Sequence, residues 1–227
     1  MNIDSLTAAG LNLQAVFNLD DLPPEMAATL RASGKEKSYR QLILLGHAGT
    51  ALWRAVKAAG MNSEHPIDDF TIKIFGQWAA EHMAGRDYQI VYPGDTPIGL
   101  QALGKLAGWH HDSPLMVGIN DRWGTWFAYR AAVLADSDFA PTQKMISHSP
   151  CPSCASRPCV SACPAGALDG EEFSLPKCID YRRQPSSPCQ QTCLARLACP
   201  VASEHRYSSA QMRHTYSFSL RWITGAG

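Results

Sequence analysis

Apolar and polar positions alternate in blocks that predict strands separated by helices. The run RQLILLGH at 40–47 is continuously apolar and ends in Gly and His, which is typical of a buried central strand. The shorter runs LNLQAVFNL (11–19) and YQIVYP (88–93) predict two further strands. The runs LMVGIN (115–120) and TWFAYRAAVLAD (125–136), joined by the turn DRWG, predict two antiparallel neighbours.

Helices are predicted between these strands. The segment PPEMAATLRASG has Pro at its start and Gly past its end, as helices often do. A second helix starts at Ala51, a third spans 67–83 behind Pro66, and a fourth, at 96–108, ends in Gly. Strands interleaved with helices and closed by a hairpin indicate an α/β or α+β layer with a mixed sheet.

The polar, Pro-bounded stretch SDFAPTQKMISHSP at 137–150 predicts a linker between two domains. We therefore expect an α+β domain over 1–140, a cysteine-rich module over 148–205 and a C-terminal tail over 206–227.

Composition is that of an ordinary globular protein, with 45% hydrophobic and 18% charged residues. The Met1-Asn-Ile-Asp start lacks a secretory signal pattern, and the longest apolar runs are strand-sized. These features predict a cytoplasmic protein with no membrane partner, in which cysteines stay reduced.

Net charge is zero, which gives no strong nucleic-acid signal. From Cys151 onward, however, eight Lys or Arg face five Asp or Glu. An excess of cations suits anionic metal-sulfur centres, but it is equally compatible with a solvated surface.

All eight cysteines lie between 151 and 199. The first four form a C-x2-C-x4-C-x3-C-P run, and the other four are spaced more widely and end in a second Cys-Pro. The eight are Cys151, Cys154, Cys159, Cys163, Cys178, Cys189, Cys193 and Cys199. Two groups of four soft thiolate ligands indicate two metal-sulfur centres, and the two Cys-Pro ends favour iron. A pair of four-cysteine zinc sites is the alternative, and the wide spacings leave open the loss of one or both sites.

The span LGKLAGWHHDSPLMVGINDRWGTWFAYRAAVLAD, followed by CPSCASRPCVSACPAGAL, resembles the epoxyqueuosine reductase family. Ala107-Gly108-Trp109 and Gly124-Thr125-Trp126-Phe127 match segments of that family, and Cys178-Ile179-Asp180-Tyr181 matches a third. The strand WGTWFAYRAAVLA also resembles the CblC-type cobalamin-processing proteins. The similarity covers approximately residues 96–200.

This resemblance implies an α+β fold with a nitroreductase-like mixed sheet and flanking helices, followed by a two-cluster ferredoxin-like module. In two-cluster ferredoxins, the fourth cysteine of a run ligates the other cluster. By that rule one 4Fe-4S cluster would be held by Cys151, Cys154, Cys159 and Cys199, and the other by Cys163, Cys178, Cys189 and Cys193. The segment CPAGA, which begins at Cys163, is typical of this cluster type.

The sequence departs from the family in four respects. The middle gap of the first cysteine run is two residues wider, and the last three cysteines read C-x3-C-x5-C-P rather than C-x2-C-x3-C-P. Arg86-Asp87-Tyr88 mimics the catalytic-acid segment but lies too close to the helix 96–108, so no catalytic residue is assigned. The helical repeats of many members do not follow. We therefore expect a short member, and not epoxyqueuosine reduction itself.

Both families bind cobalamin against the sheet, which makes Trp109, His110 and Trp126 candidate cofactor-binding residues. Cobalamin is the first expectation and flavin the second. Aromatic residues on a strand more often belong to the core, and a histidine pair more often lies in a turn.

Three functions follow from these patterns. The first is a redox protein whose two clusters pass electrons to a cofactor or substrate on the N-terminal domain. Such a protein could be an oxidoreductase that depends on cobalamin. Its partners would be a small-molecule or corrinoid ligand and an electron donor such as a flavodoxin or ferredoxin reductase. The second is a non-catalytic electron carrier or corrinoid-handling protein. The third is a zinc-stapled binding module.

Overall fold

A computed structural model of the protein describes residues 1–34, 37–170 and 172–225. The chain divides into two compact units. The first contains Met1–Trp109 and Phe127–Ile146, and the second contains His110–Trp126 and Ser147–Gly227. Residues 110–126 thus belong to the second unit, although the chain then returns to the first.

The first unit contains one sheet and its flanking helices. The helices are α1 (Asp4–Ala8), α2 (Pro24–Ala32), α3 (Ala51–Ala58), α4 (Pro66–His82) and α5 (Leu100–Ala107). The strands are β1 (Leu13–Asn18), β2 (Gln41–Ala48), β3 (Tyr88–Tyr92) and β4 (Phe127–Ala135). The four strands and helices α2 to α5 lie where the hydrophobic pattern predicts them, although α5 begins four residues later than expected.

The sheet has the order β1-β2-β4-β3, and each neighbouring pair is antiparallel. The prediction of a mixed sheet is therefore wrong for the described strands. Strands β2 and β3 do run in the same direction, as the α3–α4 connection suggests, but β4 inserts between them and pairs with both. An α+β fold with an antiparallel sheet results.

Strand β2 is the centre of the core. All eight of its residues are buried, and Ile43 and Leu45 join a cluster with residues of α3 and α4. Phe75 and Trp78 of α4 are fully buried in the same cluster. Burial on both faces explains why this strand reads as a continuous apolar run.

The segment 115–120 does not form the predicted strand. Within the described chain, its β-type backbone pairing consists of two isolated bridges, one between His111 and Ile119 and one between Asn120 and Gly124. The Asn120 side-chain oxygen accepts hydrogen bonds from the backbone N–H groups of Arg122 and Trp123, at 3.0 and 2.8 Å. Such a side-chain turn competes with strand pairing, and the left-handed Met116, at φ 55°, also interrupts an extended chain.

The second unit is built from short helices. These are α6 (Pro158–Ser161), α7 (Leu175–Arg183), α8 (Leu194–Ala198) and α9 (Ser209–Thr224), with 3-10 turns at Pro188–Gln190 and Ser203–His205. Helix α9 falls in the predicted tail, for which the sequence suggested no element. Ser208 caps its N-terminus by accepting from the Gln211 N–H at 3.2 Å, and the left-handed Gly225 ends it.

Across the residues described, we find no helix that is both long enough and apolar enough to span a membrane.

Candidate metal centres

The first cysteine site lies beside α6 and α8. Cys151, Cys154, Cys159 and Cys199 line one cavity of about 570 Å³. Cys151 and Cys154 are joined by a turn, in which the Cys154 N–H donates to the Cys151 carbonyl at 3.1 Å. Cys159 lies in α6, and Cys199 directly follows α8.

The second cysteine site lies between α7 and α8. Cys163, Cys178, Cys189 and Cys193 line a smaller cavity of about 220 Å³. Cys178 is in α7, Cys189 is in the 3-10 turn Pro188–Gln190, and Cys193 is the residue before α8. Short helices thus place the four thiols on one cavity although they span 31 positions of sequence, from 163 to 193.

This grouping crosses the order of the sequence. Cys163 is the last cysteine of the first run, but it lines the second cavity with three later cysteines. Cys199 is the last of the eight cysteines, but it lines the first cavity with Cys151, Cys154 and Cys159. The two sets are the same sets that the ferredoxin rule implies. Whether they bind clusters, and whether the second unit is ferredoxin-like, stays a prediction.

The spacing of the thiols bears on which metal they fit. All eight cysteines are free, and no three His, Cys, Asp or Glu side chains in the described ranges converge closely enough for one metal ion. A zinc ion needs its thiolates at about 2.3 Å from one centre. An iron-sulfur cluster bonds its thiolates to different irons and so accepts a wider arrangement. Four cysteine thiols around one cavity are the donor set that an iron-sulfur cluster requires.

Burial shifts the acidity of these thiols. It raises the pKa of Cys151, Cys159, Cys178 and Cys189, and the neighbouring cysteines of each site raise it further. Metal ligands must be deprotonated, so loading either site releases protons and is weakened as the pH falls.

Two buried arginines lie beside the second site, and sequence reasoning did not single them out. Arg182 follows Cys178 by four residues in α7, and Arg196 follows Cys193 by three residues in α8. Within α7, this spacing places Cys178 and Arg182 on the same face of the helix, a signal that could have identified Arg182 from the sequence. Cys193 is the N-cap of α8, and its Sγ accepts from the Arg196 backbone N–H.

Helix α9 contributes to the same site. Tyr216 lines the second cavity together with Arg196 and Cys193. Burial raises the pKa of Tyr216 to about 12, so this hydroxyl stays protonated and can donate to a thiolate. Ser219 accepts a hydrogen bond from Arg182 at 3.0 Å. Helix α9 thus covers the second site.

The predicted cofactor-binding residues offer little surface to a ligand. Trp109, in the first unit, is 4% exposed and stacks on Tyr129 with centroids 6.4 Å apart. In the second unit, His110 is 4% exposed with its Nε2 at 3.6 Å from Asp112 Oδ1. Trp126 is fully buried against Tyr207. None of the three lines either cysteine cavity.

Asp121, in the second unit, could serve as a proton donor only if its carboxyl group were protonated. His148 Nδ1 lies 3.0 Å from its carboxylate. Burial acts in the opposite direction, but the hydrogen bonds with His148 prevail and lower the pKa of Asp121. Asp121 is therefore a carboxylate at neutral pH and a poor acid.

The fold resembles that of solved epoxyqueuosine reductases. The Streptococcus thermophilus enzyme gives a TM-score of 0.55 at 12% identity, over 88% of this chain and 66% of that chain. The Bacillus subtilis enzyme gives 0.55 at 11% identity, over 91% and 66%. An epoxyqueuosine reductase solved with a modified tRNA stem loop gives 0.57 at 12% identity, over 93% and 67%. The predicted resemblance is confirmed, and at these identities it establishes the fold alone.

The chain spans about two thirds of the length of these reductases. A C. elegans B12-trafficking protein, CblC, is also similar, but its TM-score of 0.45 is too low to support an argument. No protein-family model and no curated protein sequence matches the chain. One neighbour was solved with RNA, so the expected lack of a nucleic-acid partner finds no support there and stays a prediction.

Proposed function

We propose that this chain is an iron-sulfur redox protein whose second unit binds two 4Fe-4S clusters. The observation that carries this proposal is the division of eight cysteines between two cavities, four at each. Such clusters, when bound, accept and release single electrons. The cysteines would supply the thiolate ligands of both sites.

Apolar residues would keep water from the two sites. Leu115 and Leu168 line both cavities, so the same two side chains border each set of cysteines. Leu168 is buried, and Phe173 and Leu175 add further apolar surface around the second cavity. Restricted solvent access protects iron-sulfur ligands and influences the reduction potential.

The ligand arrangement makes a zinc-stapled module the weaker alternative. Both cysteine groups end in Cys-Pro, as in two-cluster ferredoxins, and the segment CPAGA from Cys163 is typical of that cluster type.

The electrons would pass to a cofactor or substrate on the first unit, and cobalamin is proposed ahead of flavin. Support comes from the motifs shared with the epoxyqueuosine reductases at Ala107-Gly108-Trp109 and Gly124-Thr125-Trp126-Phe127. A cleft of about 200 Å³, which includes Met26 and Leu103, is present on the first unit. It is smaller than the roughly 300–1,000 Å³ of ordinary ligand pockets.

The burial of Trp109, His110 and Trp126 favours a second candidate, a non-catalytic electron carrier or corrinoid-handling protein. Residues with almost no exposed surface cannot wall a flat cofactor without rearrangement. A carrier needs no such pocket, because its own two sites hold the electrons and a partner performs the reaction.

Cysteine substitutions test the two cluster sites separately. Cys154→Ser and Cys178→Ser each remove one ligand, and each is expected to lower the iron and sulfide of anaerobically reconstituted protein to about half. Ser153→Ala, next to a ligand, serves as the control. If either cysteine variant kept its full iron and sulfide, the assignment of that site would be wrong.

Addition of a cofactor separates the enzyme from the carrier. Protein with both clusters loaded would be reduced anaerobically and mixed with cob(II)alamin or with flavin mononucleotide, and the visible spectrum followed. A spectral change of bound cobalamin or flavin supports the redox-enzyme proposal. No binding of either, with clusters that still reduce and reoxidise, supports the carrier.

A further inference from the structure

We infer that the two cysteine sites differ in reduction potential, and that Arg182 and Arg196 make the Cys163–Cys178–Cys189–Cys193 site the higher of the two. This inference rests on the proposed function, since it concerns clusters held by these cysteines. It assigns Arg182 and Arg196 as positioning residues that act on the charge of the site. An electron entering the second unit would reside at this site.

Arg182 is held in place by neutral groups. It is 7% exposed, and its Nε donates to the Cys189 carbonyl at 3.0 Å. Its Nη2 donates to the Tyr216 carbonyl at 2.7 Å and to Ser219. The guanidinium also lies over the Tyr216 ring, 5.4 Å from its centroid. These contacts fix the position of the charge but do not neutralise it.

Arg196 is enclosed in the same way. It too is 7% exposed, and its guanidinium lies 4.7 Å from the Trp126 ring centroid and 4.9 Å from that of Tyr207. Its Nη2 donates to the Thr125 carbonyl. Its own backbone N–H donates to Cys193 Sγ at 3.4 Å, which ties this residue directly to a proposed ligand.

Neither arginine has a carboxylate partner within the described ranges. A buried charge without a counter-ion is costly, and arginine is almost never buried unless it is paired. The thiolates of the second cavity can form beside them. Among the described residues that line this cavity are Arg182 and Arg196, and none of those residues is acidic. An anionic cluster would supply the missing negative charge.

The first site has a different electrostatic setting. Among its described lining residues, Asp112 is the acidic one and Arg157 the basic one, so these two charges cancel. Both residues lie toward solvent, where water and salt screen their effect. This cavity is also the larger, at about 570 Å³ against about 220 Å³.

The sign of the difference follows from the charge of a cluster. With four thiolates, a 4Fe-4S cluster carries about −2 when oxidised and about −3 after it gains one electron. Two buried cations stabilise the reduced form more than the oxidised form, because the attraction grows with the negative charge. Solvent-screened charges that cancel have little such effect. The second site is therefore easier to reduce.

The test is an anaerobic redox titration of the full chain with both clusters loaded, followed by electron paramagnetic resonance. We expect two one-electron steps at different potentials. The Cys154→Ser variant, which lacks the first cluster, should retain the step at the higher potential. Two indistinguishable potentials, or retention of the lower step, would overturn the inference.

Arginine variants test the cause. Arg182→Gln should lower the higher potential by the equivalent of a roughly tenfold change in the reduction equilibrium, about 59 mV for one electron. Arg182→Lys keeps the positive charge, so its higher potential should stay close to that of the original protein. The matched control Arg157→Gln removes an exposed charge from the first site and should change either potential far less. Equal shifts in the Arg182→Gln and Arg157→Gln variants would contradict the assignment.

Iron and sulfide content, measured on each variant, distinguishes the possible failures. If Arg182→Gln lost the second cluster through misfolding, Arg182→Lys and the Cys154→Ser titration would still decide the inference. Protein that binds no iron and sulfide at all would overturn the proposed function and this inference with it. Two loaded clusters of equal potential would overturn the inference alone.

Discussion

Gly108 and Gly124 occupy positions where a side chain has no room. Both have left-handed backbones, with φ of 77° and 56°. A Cβ on Gly108 would lie 2.0 Å from the Met145 carbonyl oxygen, and one on Gly124 would lie 2.3 Å from that of Val201. Both belong to segments whose sequences resemble those of the epoxyqueuosine reductases. A physical requirement for close backbone approach therefore accounts for the glycine in each motif.

Gly124→Ala is predicted to destabilise the second unit well beyond the cost of a left-handed alanine. The control is Gly60→Ala, which has a similar φ of 63° but no atom within 4 Å of the new Cβ. We expect Gly60→Ala to cost about 1–2 kcal/mol from backbone strain alone. Gly124→Ala should cost more, because backbone atoms must also move. Urea unfolding of the two variants measures the difference, and equal losses would contradict the close approach.

Tyr129 provides a prediction for alkaline pH. Burial raises the pKa of this phenol well above its usual range. A raised folded-state pKa contributes stability that is present below the unfolded value of about 10 and lost as the pH rises above it. The free energy of unfolding should therefore decline above about pH 10, and less steeply in Tyr129→Phe.

The control for that experiment is Tyr88→Phe, because Tyr88 is 40% exposed. The free energy of unfolding would be measured with urea at several pH values above neutral. In this variant it should decline with pH as steeply as in the original protein. The prediction fails if the Tyr129→Phe and Tyr88→Phe curves decline equally.

At the level of the elements, α9 makes the clearest link between folding and the site. Its Met212 is 3% exposed and packs with Trp126 and Tyr207. One turn further along, Tyr216 lines the second cysteine cavity. Packing of α9 through Met212 therefore positions Tyr216 and Ser219, which accept hydrogen bonds from Arg182.

Met212→Asp is predicted to release α9 and to impair the second site only. Loss of a buried methionine costs about 1.5–3 kcal/mol, and a buried carboxylate adds to that. Iron and sulfide should fall toward half, since no residue of α9 lines the first cavity. Arg213→Ala changes the next, exposed residue and should leave the content intact. A full cluster content in Met212→Asp would show that α9 does not support the site.

The hydrophobic pattern predicted the elements whose burial is periodic or continuous, such as β2 and α4. It failed at 115–120, where a side-chain turn at Asn120 prevails over strand propensity. It also missed α9, although Ser208, Met212, Tyr216 and Gly225 stand at cap and helical positions. The helix has many polar residues and few buried ones, so its apolar positions do not form a clear helical pattern in the sequence.

At the scale of the whole molecule, cysteine order was more informative than cysteine number. The ferredoxin rule predicted the crossed grouping that the two cavities display. The antiparallel arrangement of β4 between β2 and β3 was not predictable, because strand order depends on long-range pairing. The electrostatic contrast between the sites also needed the fold, which decides that Arg182 and Arg196 are buried while Arg157 is not.

The most direct test of the central claim is the metal and sulfide content of the full chain, purified anaerobically and reconstituted with iron and sulfide. The two cysteine cavities predict about eight iron and about eight sulfide per chain, with a visible absorbance that bleaches on reduction. About two zinc ions per chain, with neither iron nor sulfide retained, would contradict the account.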